Sequence, residues 1–313
     1  MTPVPIKKER GEEMQDLTTR PEKKTAAALG YFDGVHLGHR RVLGAACDTA
    51  RANGWQSAVF TFWFDGTPSI KGARVVSAEE RRRRIEDCGI DLFYCPEYES
   101  FKNLTPEEFV QQVLVEKMNA AAVFTGDNFT FGKGGKGNVQ LLSRLCAEAG
   151  ITHTMVDMQA ADGSLVSSTR IRGLLAQGDV AHANRLLGAP YAVSLPVQPG
   201  KGIGAEKLGF PTINQIYPAG MLQPAEGVYI TAAWVDGVRY AAATGIGSQP
   251  TVGGTQVTCE SFLVDFSGDL YGKTVRLEFH EYLGPVRRFA DIEGLKGCIG
   301  DAAQKAKAYF AVR

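Results

Sequence analysis

The sequence predicts two folds in one chain: a Rossmann-like, doubly wound parallel α/β sheet, then a small antiparallel β-barrel with a C-terminal helix. Up to about residue 187, short apolar runs alternate with helical stretches, as they do in a parallel sheet covered by helices on both faces. From about residue 188, prolines become frequent and short β-type runs follow one another between turns. A length of 313 residues also suffices for two hydrophobic cores.

In the first part, apolar runs that indicate buried strands are separated by segments with helical spacing. The predicted strands are 25–29, 56–62, 91–95, 121–125 and 152–156. The predicted helices are 38–52, 78–88, 106–118 and 138–149. Residues 1–24 are polar and show no period, so we expect a mobile tail there. The predicted first domain therefore covers residues 25–187.

The second predicted domain, residues 188–313, begins with a loop-rich segment in which prolines are crowded. The predicted barrel strands after it are 227–235, 239–246, 257–266 and 274–281. Turns such as Asp236-Gly237 separate them, because Asp-Gly favours tight hairpin turns. Residues 291–310 are rich in Ala and Lys at helical spacing, which predicts a closing C-terminal helix.

Composition excludes several classes of partner. The 34 Lys and Arg residues balance 34 Asp and Glu residues, so charge gives no support for a nucleic-acid or membrane partner. No apolar stretch is long enough to cross a membrane. The six cysteines are scattered and form no Cys-x-x-Cys pair, which is typical of a reducing compartment. We therefore expect a cytoplasmic protein, as a monomer or weak homo-oligomer.

The run EERRRR at 79–84 has the composition of a basic patch. A helix distributes four consecutive residues around most of its circumference, and the two glutamates offset part of the charge. We therefore expect a solvated helix face at this segment.

The segment GYFDGVHLGH at 30–39 carries the most specific chemical pattern. It follows the first predicted strand and places His36 and His39 on one side of a helix's first turn, because residues three apart are neighbours there. Gly30 and Gly34 allow a sharp turn and close approach to a ligand. A strand, a glycine turn and a helix N-terminus together form an anion site. The pattern predicts that two imidazoles hold nucleotide phosphates while one phosphorus is attacked, whereas a lone histidine is usually structural.

Two further segments carry candidate binding residues. GDNFTFG at 126–132 follows the fourth predicted strand, and its aromatic rings suit a flat ligand, with Asn128 as donor and acceptor. SSTRIR at 167–172 opens the helix after the fifth strand. Hydroxyl side chains there usually cap the helix, but beside Arg172 they also suit a pyrophosphate. The two roles are compatible.

Together these segments resemble the bacterial bifunctional riboflavin kinase/FMN adenylyltransferase (FAD synthetase) family. The resemblance covers nearly the whole chain from about residue 25. It is carried by GYFDGVHLGH, GDNFTFG and SSTRIR, and by LTPEEFV (104–110), LGFPTIN (208–214), GVY (227–229) and ESFLVDFSGDLYG (260–272).

The resemblance implies that the first domain transfers AMP from ATP to FMN, giving FAD and pyrophosphate. His36 and His39 would be catalytic and stabilise charge around the α-phosphorus, with Mg²⁺ sharing the phosphate charge. The residues expected to bind the nucleotide or its phosphates are Gly30, Phe32, Asp33, Gly34, Gly38, Ser168, Thr169 and Arg172. The residues expected to contact the flavin or nucleotide are Asn128, Phe129 and Phe131. The family's aromatic-Asp-Pro-His-Pro segment lacks its histidine here, at 62–68.

The resemblance also implies that the second domain phosphorylates riboflavin with ATP. Thr212 and Asn214 match positions that hold Mg²⁺ and ATP phosphates. Glu260 matches the carboxylate that takes the proton from the ribityl hydroxyl.

Four positions of this second site depart from the family pattern: Glu206, Gly245, Gln249 and Gly284. At the first, a glutamate replaces an arginine beside a triphosphate, which reverses the local charge. Three interpretations follow: an enzyme that makes both FMN and FAD, an adenylyltransferase with a degenerate kinase domain, or a noncatalytic flavin- or nucleotide-binding regulator.

Overall fold

The computed structural model describes residues 13–63, 72–157, 165–199, 212–218, 220–251, 254–286 and 292–312. The chain divides into two compact units. The first comprises Met1–Ile70 and Arg81–Ser167, and the second comprises Lys71–Glu80 and Ser168–Arg313. In the described residues, helix length and hydropathy together give no segment able to span a bilayer.

The first unit is built on the predicted parallel sheet. Its described strands are β1 (Gln15–Asp16), β2 (Thr25–Leu29), β3 (Gln56–Phe60), β4 (Leu92–Tyr94), β5 (Ala120–Thr125) and β6 (Thr152–Met155). Their order is β1-β4-β3-β2-β5-β6, and neighbouring strands run parallel. The winding direction therefore reverses between β2 and β5, which is where open α/β sheets bind ligands.

Helices cover both faces of this sheet. They are α1 (Leu37–Asn53), α2 (Ala78–Glu86), α3 (Tyr98–Phe101), α4 (Pro106–Glu108), the π-helix Phe109–Lys117 that continues α4, and α5 (Val139–Glu148). Ala26 and Ala28 of β2 pack in the core under α1, and Ala27 and Leu29 pack in the core on the opposite face. Successive strand residues thus enter different cores, which explains why β2 is an uninterrupted apolar run.

The prediction of a mobile tail over residues 1–24 is wrong for residues 13–24, and residues 1–12 lie outside the described part. β1 pairs with β4, and Met14 and Leu17 are buried. Asn119 Nδ2 donates hydrogen bonds to the carbonyl oxygens of Pro21 and Lys23, each at 3.1 Å. A two-residue strand shows no period in the sequence, so only these long-range contacts reveal it.

The second unit contains the predicted barrel, which is confirmed. Its described elements are α6 (Ser168–Ala176), α7 (Val180–Leu187), β7 (Tyr191–Pro196), β8 (Thr212–Ile216), β9 (Gly227–Val235), β10 (Val238–Thr251), β11 (Gly254–Leu263), β12 (Thr274–Gly284) and α8 (Ile292–Ala311). The antiparallel strands have the order β7-β12-β9-β10-β11-β8. The curled sheet closes where Gln198 N–H donates to the Asn214 carbonyl at 2.7 Å. Gln215 reinforces the closure, since Nε2 donates to the Leu195 and Val275 carbonyls.

Two sequence predictions differ from this unit. β7 and β8 lie in the segment predicted to be loop-rich, where the prolines concealed them; Pro196 ends β7. This compact unit also includes Ser168–Leu187, which precede the predicted domain boundary at residue 188. The cause is α7, because Asn184 Nδ2 donates to the Phe279 carbonyl at 2.8 Å and Asn184 Oδ1 accepts from Tyr191 N–H.

Candidate active sites

The histidine turn connects β2 to α1 at the carboxyl end of β2. Phe32, Gly34 and Val35 have φ angles of 53°, 81° and 47°. The left-handed region is costly for a β-branched residue such as Val35, and backbone strain of this kind clusters at ligand sites. The Phe32 ring folds back over Gly30, where a Cβ would lie 3.0 Å from the ring. A side chain at position 30 would therefore be in tight contact with the Phe32 ring.

His36 and His39 are brought together in the first turn of α1. His36 is the N-cap, and its Nδ1 accepts a hydrogen bond from the His39 backbone N–H at 3.3 Å. The two imidazoles are stacked, with ring centroids 3.6 Å apart and an interplanar angle of 16°. Because Nδ1 acts as acceptor, this hydrogen bond assigns the proton of the neutral ring to Nε2.

The surroundings keep the His36 imidazole neutral. Burial lowers the pKa of His36 to about 4, and the positive end of the α1 dipole also disfavours a second proton on the ring. No acidic residue lies in the first turn of α1. Near neutral pH, His36 can therefore donate a hydrogen bond to an anion without carrying a charge.

The prediction of a solvated arginine face on α2 is wrong for Arg81 and Arg84, which are buried. Arg84 Nη1 donates to the Gly34 carbonyl at 3.1 Å, and Arg81 Nη1 donates to the Tyr31 carbonyl at 3.1 Å. The run of four arginines conceals which of them turn inward. Helical spacing was the available signal, because Arg81 and Arg84 each lie four positions before an apolar residue, Ile85 and Cys88 respectively.

The loop at 126–132 follows β5, so it lies beside the histidine turn at the place where the sheet reverses its winding. Asn128 is exposed and Phe129 is half-buried. Phe131 instead packs in the core against Phe109, with ring centroids 5.4 Å apart. The predicted flavin contact of Phe131 is not supported, because its ring is buried among core residues. Of the three residues, Asn128 and Phe129 remain accessible to a ligand.

The SSTRIR segment begins α6 in the second unit. Ser168 is half-buried and Thr169 is exposed at the start of this helix. Arg172 Nε donates to the Ala73 carbonyl at 2.6 Å. One donor of the guanidinium is thus already engaged with the backbone, which the sequence motif did not indicate.

The three predicted residues of the second site lie on two paired strands. Asn214 of β8 is directly opposite Glu260 of β11, and Thr212 is opposite Phe262. Directly paired residues and residues two apart share one face of a sheet. The strand register therefore places Thr212, Asn214 and Glu260 on a common face, and Glu260 is exposed.

Comparison with known proteins decides the family. Residues 18–170 match the FAD synthetase family and residues 187–310 match the riboflavin kinase family. The bifunctional riboflavin kinase/FMN adenylyltransferase of Bacillus subtilis strain 168 is 34% identical over 94% of this chain and 95% of its own. The protein of that name from Escherichia coli strain K12 is 30% identical over 96% and 97%. The chain belongs to the bifunctional riboflavin kinase/FMN adenylyltransferase family.

A solved structure has the same architecture. It is described as a macrolide-efflux protein from Streptococcus pneumoniae, and it matches this chain with a TM-score of 0.80 and 26% sequence identity. The match covers 93% of this chain and 96% of the other. The description of that protein names macrolide efflux, whereas the sequence relatives are named as riboflavin kinase/FMN adenylyltransferases. The efflux description is a statement about the Streptococcus protein.

Membership of the riboflavin kinase/FMN adenylyltransferase family confirms the prediction of an enzyme with a nucleotidyltransferase part and a kinase part. It therefore disfavours the noncatalytic interpretation.

The departures from the family pattern can be examined at two positions. Gly245 is paired with Glu260, and a Cβ there would lie 4.0 Å from the Glu260 carbonyl oxygen, so a larger side chain has room at its base. Gly284 has a φ of 138°, a conformation that disfavours any side chain. Arginine at 284 would thus require a different backbone. Glu206 and the side chain of Gln249 lie outside the described part of the chain.

Proposed function

We propose that the first domain transfers AMP from ATP to FMN at the His36–His39 pair, and that the second domain phosphorylates riboflavin at the Thr212–Asn214–Glu260 face. The observation that carries the first assignment is the stacked imidazole pair at the N-terminus of α1. It combines a neutral donor and the positive end of the α1 dipole at one point.

In AMP transfer, a phosphate oxygen of FMN attacks the α-phosphorus of ATP. The new bond joins that oxygen to phosphorus, and the bond from the α-phosphorus to the bridging oxygen breaks to release pyrophosphate. His36 donates a hydrogen bond from Nε2 to an α-phosphate oxygen, and the stacked His39 ring supports His36 within the same turn. Donors held in place before the reaction stabilise the developing charge without reorganisation.

The other predicted residues of this reaction have binding roles. Gly30, Phe32, Asp33, Gly34 and Gly38 shape the turn that receives the nucleotide. From the sequence motif we assign Ser168, Thr169 and Arg172 to the β- and γ-phosphates. Asn128 and Phe129 contact the flavin or nucleotide, while Phe131 supports the loop from the core.

Riboflavin phosphorylation requires a base for the ribityl hydroxyl and a group that holds the ATP phosphates. Glu260 takes the hydroxyl proton, the oxygen bonds to the γ-phosphorus of ATP, and the bond from that phosphorus to the bridging oxygen breaks to release ADP. Thr212 and Asn214 supply the oxygen donors that Mg²⁺ prefers, and their common face with Glu260 fits that ion. Mg²⁺ would be held by these two residues and the phosphates, and would neutralise phosphate charge.

A second candidate is an enzyme that makes FAD only. The specific observation in its favour is Gly245, which presents no side chain beside Glu260 where the family pattern has asparagine. Gly284 likewise removes an arginine from the flavin side, according to the family pattern.

The decisive experiment supplies ATP and Mg²⁺ with either FMN or riboflavin and resolves the flavins by chromatography. We expect FAD from FMN, and FMN from riboflavin. His36→Ala should lower FAD formation by about 100-fold or more, because one preorganised donor contributes that much, and should leave FMN formation unchanged. Glu260→Gln should lower FMN formation from riboflavin and leave FAD formation from FMN unchanged.

His182→Ala is the control, since His182 pairs with Asp179 on α7. FAD from FMN with no FMN from riboflavin would establish the second candidate. Wild-type FAD formation in His36→Ala would remove His36 from the mechanism.

The remaining assignments concern the setting of the reactions. All six cysteines are free thiols, which agrees with a reducing cytoplasm. We assign the protein small-molecule substrates only, as a monomer or weak homo-oligomer without nucleic-acid or membrane partners.

A further inference from the structure

The backbone of the histidine turn, residues 30–36, is strained at two positions. Phe32 and Val35 are both left-handed without being glycine, and each such residue costs about 1–2 kcal/mol. Strained residues persist only when their surroundings fix them. The packing of the buried Phe32 and Val35 side chains and the groups that bond to the carbonyl oxygens of this turn therefore hold its shape.

Two buried guanidinium groups bond to these carbonyls. Arg84 Nη1 donates to the Gly34 carbonyl, two residues before His36. Arg81 Nη1 donates to the Tyr31 carbonyl, which also accepts from Thr61 Oγ1 at 3.0 Å. Arg81 Nη2 donates to the Phe62 carbonyl at 3.0 Å and so joins this turn to the end of β3.

A contribution to stability alone does not explain why arginines are buried at positions 81 and 84. Arg84 is fully buried and Arg81 is 6% exposed, and removing a charge from water costs several kcal/mol. Apolar side chains of similar volume often stabilise a fold as well or better. An arginine offers what they lack, a rigid set of donors that can fix a carbonyl in direction as well as distance.

We propose that Arg84 and Arg81 are positioning residues for AMP transfer, which hold the carbonyls of Gly34 and Tyr31 and thereby set the His36 imidazole against the α-phosphate. This inference rests on the proposed function of His36. Neither arginine contacts the reacting atoms in this mechanism. Both act through the backbone of the turn.

The test compares Arg84→Met, Arg84→Lys and the control Arg83→Met. Arg83 belongs to the same arginine run but pairs with Asp87 on the exposed side of α2. We expect Arg84→Met to lower kcat for FAD formation about 100-fold, with little change in the KM for ATP. Arg84→Lys should fall between this variant and the wild type, since one ammonium donor can still reach the carbonyl. Arg83→Met should behave as the wild type.

A second readout does not depend on turnover. In an NMR titration of the His36 ring protons, Arg84→Met should move the pKa upwards from about 4, because the loosened turn admits water; Arg83→Met should not. Unchanged kcat and an unchanged titration in folded Arg84→Met would overturn the proposal. If Arg84→Met does not fold, Arg84→Lys decides: a kcat lowered about tenfold supports it, and wild-type turnover rejects it. If the wild type makes no FAD, the proposed function fails while the titration still tests the positioning role.

Discussion

A single truncation of His36 would confuse its role as a helix cap with its proposed role in AMP transfer. Its Nδ1 caps α1 by accepting from the His39 N–H, and in the proposed mechanism its Nε2 donates to a phosphate. The first function stabilises the helix, whereas the second belongs to the reaction. A substitution that keeps one and removes the other separates them.

Asparagine at position 36 is that substitution, because its side-chain oxygen is among the best N-caps and it has no imidazole. We expect His36→Ala to lower the free energy of unfolding by about 1 kcal/mol through loss of the cap. His36→Asn should recover most of that loss, and both variants should be equally poor in FAD formation. Urea unfolding and the flavin assay measure the two effects. Recovery of activity in His36→Asn would mean that the cap, and not the imidazole, is what the reaction needs.

For single residues, the sequence predicted which side chains form the candidate site better than it predicted which side chains are buried. It identified the His36–His39 pair because a glycine turn and a helix start can be recognised locally. The sequence predicted that Arg84 faces solvent and that Phe131 contacts a ligand, but both side chains are buried. Their burial depends on which face of α2 and which side of the loop pack against the sheet. Those contacts join residues far apart in the chain, such as Arg84 and Gly34.

The loop after β5 is an element whose shape depends on packing against α4. Gly132 has a φ of 73°, and a Cβ there would lie 2.9 Å from both the ring and the backbone nitrogen of Pro106. The Lys133 N–H donates to the Leu104 carbonyl at 2.6 Å. The LTPEEFV segment therefore supports the loop that presents Asn128.

Alanine at position 132 tests this support, and Gly134→Ala is its matched control. Gly134 has a similar φ of 68° but nothing within 4 Å of an added Cβ. Both variants should lose about 1 kcal/mol for the left-handed backbone, and Gly132→Ala should lose a further 1–3 kcal/mol, as overpacked sites do. Its KM for FMN should rise as well. Equal unfolding free energies for the two variants would show that Pro106 does not constrain the loop.

Elements were predictable where a period ran long enough to be seen. The alternation of strands and helices predicted β2 to β6, and the β-type runs between turns predicted the four barrel strands β9 to β12. Three strands were not predicted. β1 has only two residues and so shows no period, and β7 and β8 lie in a proline-rich segment that suggests loops. Their partners β4, β12 and β11 determine them, and pairing between distant strands leaves no local signal.

In the whole molecule, the two units contain ionisable groups that respond to acid in different pH ranges. Buried His36 of the first unit keeps a pKa of about 4. In the second unit, Arg276 forms two hydrogen bonds to the buried Glu80 carboxylate. Burial alone would raise the pKa of Glu278, but the neighbouring His280, the hydrogen-bonded and charged Arg276 and the neighbouring Trp234 lower it to about 2.

The signs of these shifts predict that the first unit loses stability earlier as the pH falls. Unfolded chains take up the histidine proton near pH 6.5 whereas folded His36 does so near 4, so the unfolding free energy of the first unit decreases across that range by about 3 kcal/mol. The contribution of Glu278 is present above about 4.5 and is lost as the pH falls through 2. Hydrogen exchange of both units from pH 7 to 3 measures the order.

His36→Asn should flatten the response of the first unit, and Glu278→Gln that of the second. Earlier acid loss of protection in the second unit would contradict this assignment of the two groups.

Arg81 and Arg84 contact a turn that precedes them by 50 residues. The ten-residue motif at 30–39 therefore contains only part of the structure that positions the histidines, and Arg81 and Arg84 supply the rest. Transfer of that motif alone to a new scaffold would carry over the two imidazoles without the arginine hydrogen bonds that position them. The transferable module is the turn together with the inner side of α2.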